Sequence, residues 1–225
     1  MGYKIAIDGP SGTGKGYVAR EISKKLGILN IDTGAMYRAF ALYCMENNVD
    51  LSSQAKINEA LRNVKIHFEY GEDVVKVFLN NRDVSSEIRT EQIGLYASKV
   101  SSIIPVRRDM VERQRALAGT QNVLMEGRDI GSVVFPDAEL KIFLTADADV
   151  RANRRYKDLV LKNKDITLEE VREDIKRRDE QDLTKAISPL IKTEDMIELD
   201  TTNLSKQQVL DEVLKLVKEK GLVKC

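Results

Sequence analysis

Short apolar runs recur along the chain and are separated by stretches with a helical pattern. The first run, Ile5 to Ile7, shows no polar alternation, which is typical of a parallel strand buried on both faces. Similar runs lie at Ile28 to Ile31, Val123 to Met125, Leu140 to Leu144 and Met196 to Leu199. Strands that alternate with helices predict an α/β fold with a parallel sheet.

Helix boundaries are marked by residues with known end preferences. Val18, Ile22 and Leu26 recur every four residues, and Gly27 follows at the position where a left-handed residue ends a helix. Later helix starts are indicated by two capping boxes, Thr167 with Glu170 and Ser205 with Gln208.

One segment has the two-residue period of a strand exposed on one face. Val64, Ile66, Phe68 and Tyr70 alternate with polar residues, a Gly-Glu-Asp turn follows at 71–73, and a second strand ends at Asn80-Asn81. We therefore expect a small antiparallel unit inserted between helices.

The composition narrows the classes of function. Of the 225 residues, 42% are hydrophobic and 32% charged, which is enough apolar material for a globular core. Basic and acidic residues both number 36, so no bulk charge favours nucleic acid or an anionic membrane. Cys44 and Cys225 have neither disulfide nor metal-site spacing, and no signal or membrane-spanning segment is evident, so we expect a cytoplasmic protein.

The first strand is followed by a P-loop motif, G-x-x-x-x-G-K, and then by a helix pattern. The loop comprises Gly9, Pro10, Ser11, Gly12, Thr13, Gly14, Lys15 and Gly16. Glycines allow the backbone amides to surround phosphate oxygens, while the helix N-terminus and Lys15 supply positive charge. A glycine-rich turn without a ligand is the alternative, and the strand-helix context favours phosphate binding.

Gly16 stands where the motif usually carries a Ser or Thr that binds Mg²⁺. The metal would then be held by phosphates, water and a carboxylate. Asp8, Asp32 and Glu126 are candidates because each lies at or just after the C-terminal end of a predicted strand. Asp8 has an alternative role, which is to cap a turn.

Arginines cluster at predicted loop positions: Arg38, Arg107, Arg108, Arg128, Arg154, Arg155, Arg177 and Arg178. Their planar guanidinium groups match phosphate, which suggests a second anionic ligand.

The Asn-Lys-x-Asp tetrad of GTPases is absent from the sequence, which disfavours that class. The single histidine, His67, lies in the alternating segment and is interpreted as a half-exposed sheet residue rather than a catalytic base.

Several motifs together resemble the bacterial cytidylate kinase family. They are DGPSGTGKG, IDTGAMYRA, EIRTEQIGLYASKVSSIIPVRRDMVERQR, EGRDIGSVVFPDAELKIFLTA and RRDEQDLTKAISPL. The resemblance implies a P-loop kinase CORE with a five-stranded parallel sheet flanked by helices, an acceptor-binding insert and a helical LID. It places the CORE at 1–62, 91–149 and 167–225, the insert at 63–90 and the LID at 150–166. The implied reaction is phosphoryl transfer from ATP, with Mg²⁺, to CMP or dCMP. Separately, we expect the protein to be a monomer.

The resemblance also implies roles for individual residues. The P-loop would bind the donor, and Thr33, Tyr37, Arg38, Arg128 and Lys185 would surround the acceptor phosphate. Ser98, Arg107 and Asp129 would read cytosine, while Arg178 and Asp182 would contact the ribose. The catalytic candidates are Lys15, Asp32, Arg128, Arg154 and Arg155, with the last two closing from the LID. The chain departs from the family pattern at Tyr17, usually a small hydroxyl residue, and at Lys185, usually Arg.

Two other interpretations remain open. A kinase of the same fold could act on UMP, AMP or another small acceptor, and Ser98, Arg107 and Asp129 are the residues that would discriminate. A non-catalytic ATP-binding or RNA-binding protein would use the arginines on a partner, but the balanced net charge disfavours it.

Overall fold

The computed structural model describes residues 2–71, 75–161 and 165–223. The chain divides into two compact units. The first comprises the residues up to Ile31 and from Ala118 onward, and the second comprises Asp32–Leu117. Within the described residues, no helix has both the length and the apolar character that crossing a bilayer requires.

The elements follow one another along the chain as strands and helices. The strands are β1 Lys4–Asp8, β2 Leu29–Asp32, β3 Ile66–Tyr70, β4 Val75–Leu79, β5 Arg82–Asp83, β6 Val123–Gly127, β7 Leu140–Thr145 and β8 Ile197–Asp200. The α-helices are α1 Lys15–Leu26, α2 Thr33–Glu46, α3 Gln54–Asn63, α4 Glu91–Val100, α5 Ile104–Ala118, α6 Ala148–Val160, α7 Leu168–Thr184 and α8 Lys206–Glu219. A 3₁₀ turn covers Glu87–Arg89 and a π-helical turn covers Ile130–Val134.

The main sheet has five strands in the order β2-β6-β1-β7-β8. Strand β1 pairs in parallel with β6 and β7, and β7 pairs in parallel with β8. Each predicted apolar run overlaps one of these strands, so the α/β class with a five-stranded parallel sheet is confirmed. From β1 the chain continues to β2 on one side of the sheet, and after β6 it passes to β7 on the other side of β1. Open α/β sheets usually bind ligands where the connections diverge in this way, which here is the carboxyl end of β1.

The core of the first unit lies between β1 and the helices that cover it. Ile5, Ile7 and Leu124 are fully buried against α1 residues such as Ile22 and α8 residues such as Val213. The predicted helix ends are confirmed: Gly27 is left-handed with φ 62°, and both capping boxes are formed. These residues fix where α1 ends and where α7 and α8 begin.

The predicted antiparallel insert is present in the second unit as a three-stranded sheet, β3-β4-β5. Asn80 and Asn81 form the turn after β4, both with positive φ, and the chain returns in the short strand β5. His67 pairs with Phe78 across β3 and β4, and the two rings stack at 4.9 Å, in line with its interpretation as a sheet residue. Of the predicted turn at 71–73, Glu72 and Asp73 lie outside the described residues, as do 162–164 of the predicted LID and Cys225.

Candidate active site

The P-loop connects the last residue of β1 to the first residue of α1. Gly9, Gly12 and Gly14 have φ values of 148°, 84° and 92°, which favour glycine. A Cβ on Gly9 would lie 2.1 Å from the carbonyl oxygen of Leu144, so the loop passes close to β7. Among the described residues, no side chain caps the start of α1. The amide of Val18 donates to the carbonyl oxygen of Gly14 at 3.1 Å, so α1 begins directly after the loop, and the first amides of a helix are a common binding site for anions.

Lys15, the first residue of α1, is buried inside the loop that it follows. Its Nζ donates to the carbonyl oxygen of Pro10 at 2.7 Å and lies 3.4 Å from Thr13 Oγ1. Burial and, to a smaller extent, the positive charge of Arg128 lower the pKa of Lys15 to about 7, although Glu126 and other nearby carboxylates oppose the shift. An arriving phosphate would favour the charged form of Lys15.

The carboxylate of Asp8 is fully buried at the end of β1. Its two oxygens accept hydrogen bonds from the backbone amides of Ile130 at 2.9 Å and Gly131 at 2.8 Å. Burial raises the pKa of Asp8 to about 6, although both amide hydrogen bonds lower it. Asp8 thus caps the π-helical turn after β6, as in the alternative interpretation of this residue.

Glu126 and Asp32 also lie at strand ends, as expected. A Cβ on Gly16 would be 2.9 Å from Glu126 Oε1, so the carboxyl group of Glu126 faces the P-loop. In the second unit, Asp32 Oδ1 accepts from the amide of Ala35, and Asp32 Oδ2 lies 3.0 Å from Arg89. Both oxygens of Asp32 are therefore engaged at the start of α2.

Arg128, Asp182 and Lys185 form a cluster in the first unit. Arg128 Nε donates to Asp182 Oδ2 at 2.6 Å, and Lys185 Nζ lies 3.4 Å from Asp182 Oδ1. Burial raises the pKa of Asp182, but the charges and hydrogen bonds of Arg128 and Lys185 together outweigh it, so the pKa lies below its usual value. Two cations therefore share one carboxylate in this cluster.

The arginines of α6 and α7 lie in different surroundings. Arg154 donates to the carbonyl oxygens of Thr201 and Leu204 and to Thr201 Oγ1. Arg155 and Arg178 instead face Asp174, with their Nε atoms 3.9 and 2.9 Å from Asp174 Oδ2. Arg154 therefore fastens α6 to the segment after β8, whereas Arg155 and Arg178 share a carboxylate.

The remaining predicted site residues are distributed over both units. Asp129 is buried in the first unit, between β6 and the π-helical turn. In the second unit, Thr33, Tyr37 and Arg38 lie on α2, Ser98 on α4 and Arg107 on α5, with Thr33 and Arg107 buried. Arg38 NH1 donates to the carbonyl oxygens of Ile88 and Thr90, which links α2 to the segment before α4.

Tyr17, which departs from the family pattern, packs against the hydrophobic core of the first unit. Arg20 and Lys206 lie over its ring, 5.6 and 5.3 Å from the ring centre. Cations within about 6 Å of an aromatic face are attracted to it. Tyr17 therefore helps to hold α1 against the start of α8.

Two arginines that make specific contacts were not singled out from the sequence. Arg89 pairs with Asp32, and Arg151 forms a buried pair with Asp179 beside the P-loop. The helical pattern places Arg151 on α6 together with Arg154 and Arg155, but it gives no signal that separates the buried arginine from the others.

Comparison with known proteins identifies relatives over nearly the whole chain. A family model described as cytidylate kinase matches residues 5–219. The chain is 49% identical to a cytidylate kinase of Thermosipho melanesiensis, over 98% of this chain and 99% of that one. It is 45% identical to a cytidylate kinase of Carboxydothermus hydrogenoformans, over 97% and 98% of the two chains. The crystal structure of an uncharacterized protein from Eubacterium ventriosum, 12% identical, has a similar fold with a TM-score of 0.52 over 97% of this chain and 99% of that chain.

Proposed function

This chain belongs to the cytidylate kinase family, and we propose that it transfers the γ-phosphoryl group of ATP to CMP or dCMP, giving ADP and CDP or dCDP. One observation carries the proposal. A Cβ on Gly16 would lie 2.9 Å from Glu126 Oε1, and two residues later Arg128 pairs with Asp182, so the P-loop and the cluster of Arg128, Asp182 and Lys185 adjoin each other. A phosphoryl group passing between two bound phosphates needs positive charge on both sides of the transfer.

The P-loop from Gly9 to Gly16 would bind the donor phosphates through its amides and Lys15. Within the described ranges, no group of three His, Cys, Asp or Glu side chains is arranged to hold a metal ion. Mg²⁺ would be bound mainly by phosphates and water, with a contribution from Glu126, whose carboxyl group faces Gly16. When bound, Mg²⁺ neutralises charge on the transferring phosphates.

The acceptor would be bound by its phosphate, ribose and base. For the phosphate we propose Thr33, Tyr37, Arg38, Arg128 and Lys185; for the ribose, Arg178 and Asp182; for cytosine, Ser98, Arg107 and Asp129. Asp129 is the central residue for specificity because a carboxylate accepts from the amino group of cytosine, whereas uracil has a carbonyl oxygen there.

The transfer itself requires little proton chemistry. A phosphate monoester has a second pKa near 6, so the attacking oxygen is already largely ionised at neutral pH. That oxygen forms a bond to the γ-phosphorus, the bond to the bridging oxygen breaks, and ADP leaves with the electron pair. Lys15, Arg128 and Arg155 would stabilise the charge that develops on the equatorial and leaving oxygens.

Two of the catalytic candidates receive a revised role in this proposal. We leave Arg154 out of the catalytic set because both of its terminal nitrogens already donate to the segment after β8. We assign Asp32 to positioning because its carboxylate caps α2 and pairs with Arg89. We further propose that the protein is a cytoplasmic monomer that needs neither nucleic acid nor a membrane. The balanced charge supports only the last two points, because no excess of basic residues favours binding to these anionic partners.

A coupled assay of ADP formation tests the function. The assay would supply ATP and Mg²⁺ with CMP, dCMP, UMP, AMP, GMP or dTMP as acceptor, and Lys15→Met would serve as the inactive control. We expect kcat/KM to be highest for CMP and dCMP, and lower for Lys15→Met by at least about a hundredfold. A higher kcat/KM for UMP or AMP would assign a different acceptor, and transfer to none of the six would contradict the kinase proposal.

A further inference from the structure

Arg151 is a buried arginine on α6 whose hydrogen bonds reach the P-loop. Its side chain is only 6% exposed, and Nε donates to the carbonyl oxygen of Ala146 at 2.9 Å. One terminal nitrogen, NH1, donates to the carbonyl oxygen of Ser11 at 3.1 Å. The two terminal nitrogens also form a forked pair with Asp179 on α7, at 3.0 and 2.6 Å.

The bond to Ser11 determines how the next peptide group is oriented. In a trans peptide the carbonyl and the following N–H point in opposite directions. Because the Ser11 carbonyl faces Arg151, the N–H of Gly12 points away from α6. P-loop amides bind phosphate only when they are aimed together into the loop. Arg151 therefore fixes the direction of one amide that the proposed donor site would use.

The close approach of Gly12 to the same arginine supports this conclusion independently. A Cβ on Gly12 would lie 3.0 Å from the Cβ of Arg151, and Gly12 has a φ of 84°. The P-loop backbone thus rests directly on the base of the Arg151 side chain. This contact restricts the loop at the peptide that the Arg151 guanidinium also holds.

Asp179 is needed because a buried guanidinium requires a charged partner in a fixed geometry. A forked arginine–carboxylate pair fixes orientation as well as charge, and lysine cannot reproduce it. Asp179 lies on α7, which also carries Arg178 and Asp182 and is followed by Lys185. The pair therefore connects the donor loop to the helix that bears two of the proposed acceptor residues and precedes a third.

We propose that Arg151 and Asp179 are a positioning pair that holds the Ser11–Gly12 peptide in the orientation required for the donor phosphates. The pair does not touch the reacting atoms, and it acts through the backbone of the P-loop. This inference rests on the proposed function, because it assumes that the P-loop binds the phosphates of ATP. It predicts an effect on donor binding that exceeds any effect on acceptor binding.

Arg151→Lys and Asp179→Asn test the pair, because the first keeps the charge without the fork and the second keeps the shape without the charge. Arg172→Gln is a matched control: Arg172 pairs with Asp149 at 2.9 Å between the same two helices, but on the exposed surface. We would measure the Kd for ATP by calorimetry, KM for ATP and for CMP, and the thermal midpoint. Both test variants should raise the Kd and KM for ATP about tenfold, with KM for CMP within about twofold and the control unchanged.

Unchanged ATP affinity in both variants would overturn the proposal. Equal increases in KM for ATP and CMP, together with a lower thermal midpoint, would also overturn it by showing that the pair only supports the fold. If Arg151→Lys does not fold, the near-isosteric Asp179→Asn decides the question alone. Should the wild type fail to phosphorylate CMP, the calorimetric comparison of ATP binding still tests the pair, so the two proposals can fail separately.

Discussion

The carboxyl group of Glu126 faces Gly16 of the P-loop: a Cβ on Gly16 would lie 2.9 Å from Glu126 Oε1. Position 16 is where P-loop NTPases carry the hydroxyl residue that binds Mg²⁺. In this chain the carboxyl group of Glu126 faces that position, at contact distance from the point where such a side chain would begin. An acidic group therefore lies beside position 16, where the motif usually has a hydroxyl group.

Glu126→Gln should slow transfer at low concentrations of Mg²⁺. The amide keeps the size of the side chain but loses its negative charge, and loss of a group that supports a metal typically costs tenfold to a hundredfold in affinity. We expect the Mg²⁺ concentration for half-maximal rate to rise by about tenfold, with the thermal midpoint nearly unchanged. The exposed Glu198, which pairs with Lys192 on the surface, provides the control as Glu198→Gln. An unaltered Mg²⁺ dependence in Glu126→Gln would exclude Glu126 from metal binding.

The lowered pKa of Lys15 predicts how donor use depends on pH. Its pKa is about 7, and the lysine is charged below this value and neutral above it. Because kcat/KM for ATP reports the free enzyme, it should fall as pH rises above about 7. In the complex, bound phosphate raises the pKa of Lys15, so kcat should begin to fall at a higher pH. Measuring both parameters from about pH 6 to pH 9 tests this, and a flat profile of kcat/KM would contradict it.

Asp8→Asn should change both the stability of the protein and its dependence on pH. The pKa of Asp8 is raised from 3.8 to about 6, so the folded state retains a proton that the unfolded state releases between these values. The contribution of Asp8 to the free energy of unfolding therefore decreases as pH rises from about 4 to 6. Asn cannot ionise, so this part of the slope should vanish. Asn also offers one acceptor to two amides, which should cost about 1–3 kcal/mol.

Thermal midpoints of wild type and Asp8→Asn, measured from about pH 4 to pH 7, separate these two effects. The variant curve should lie lower and should be flatter between about pH 4 and pH 6. Parallel curves would show that Asp8 does not titrate in this range.

The sequence predicts the elements that follow from a local pattern. It does not predict those that depend on contacts with residues far away in the chain. Ile5–Ile7 form a strand because an apolar run needs two covered faces, and Gly27 ends α1 because its φ is positive. The short strand β5 has only two residues and no apolar pattern, so its pairing with β4 was not predicted. The π-helical turn after β6 depends on Asp8, which is more than a hundred residues earlier in the chain.

The same distinction applies to the candidate site. The P-loop is predicted because its spacing and its position after a strand are local properties. The three arginines of α6 have similar sequence surroundings, and their roles differ because Asp179, Thr201 and Asp174 lie at different places around the helix. Those partners are brought near only by the packing of α7 and β8, so the sequence could not identify Arg151 as the buried one.

Lys185→Arg should strengthen the binding of the acceptor phosphate. Lys185 lies at the end of α7, with its Nζ 3.4 Å from Asp182 Oδ1, and it offers one point charge where arginine would offer a fork. We expect KM for CMP to fall about twofold to fivefold with kcat nearly constant, because the added contact is the same in the ground and transition states. An unchanged or higher KM would remove Lys185 from the acceptor site.

Asp129→Ala tests whether the carboxylate after Arg128 selects cytosine. Asp129 is buried at the end of β6, where the π-helical turn begins, and Asp8 holds that turn in place. A carboxylate attracts the amino group of cytosine and repels the carbonyl oxygen at the same position of uracil. Hydrogen bonds to charged groups contribute about 1.5–3 kcal/mol, so kcat/KM for CMP should fall by about tenfold to a hundredfold. For UMP it should stay the same or rise slightly.

The comparison of CMP with UMP separates base recognition from support of the site by Asp129. A role in holding the backbone would lower kcat/KM for both nucleotides by the same factor, because Arg128, the neighbouring phosphate ligand in the proposal, would shift for either acceptor. Asp129→Asn adds a second measurement: it keeps the size of the side chain and offers both a donor and an acceptor, so discrimination against UMP should shrink while the fold is retained. Equal proportional losses for CMP and UMP in both variants would show that Asp129 does not read the base, and Ser98 and Arg107 would then have to account for the preference.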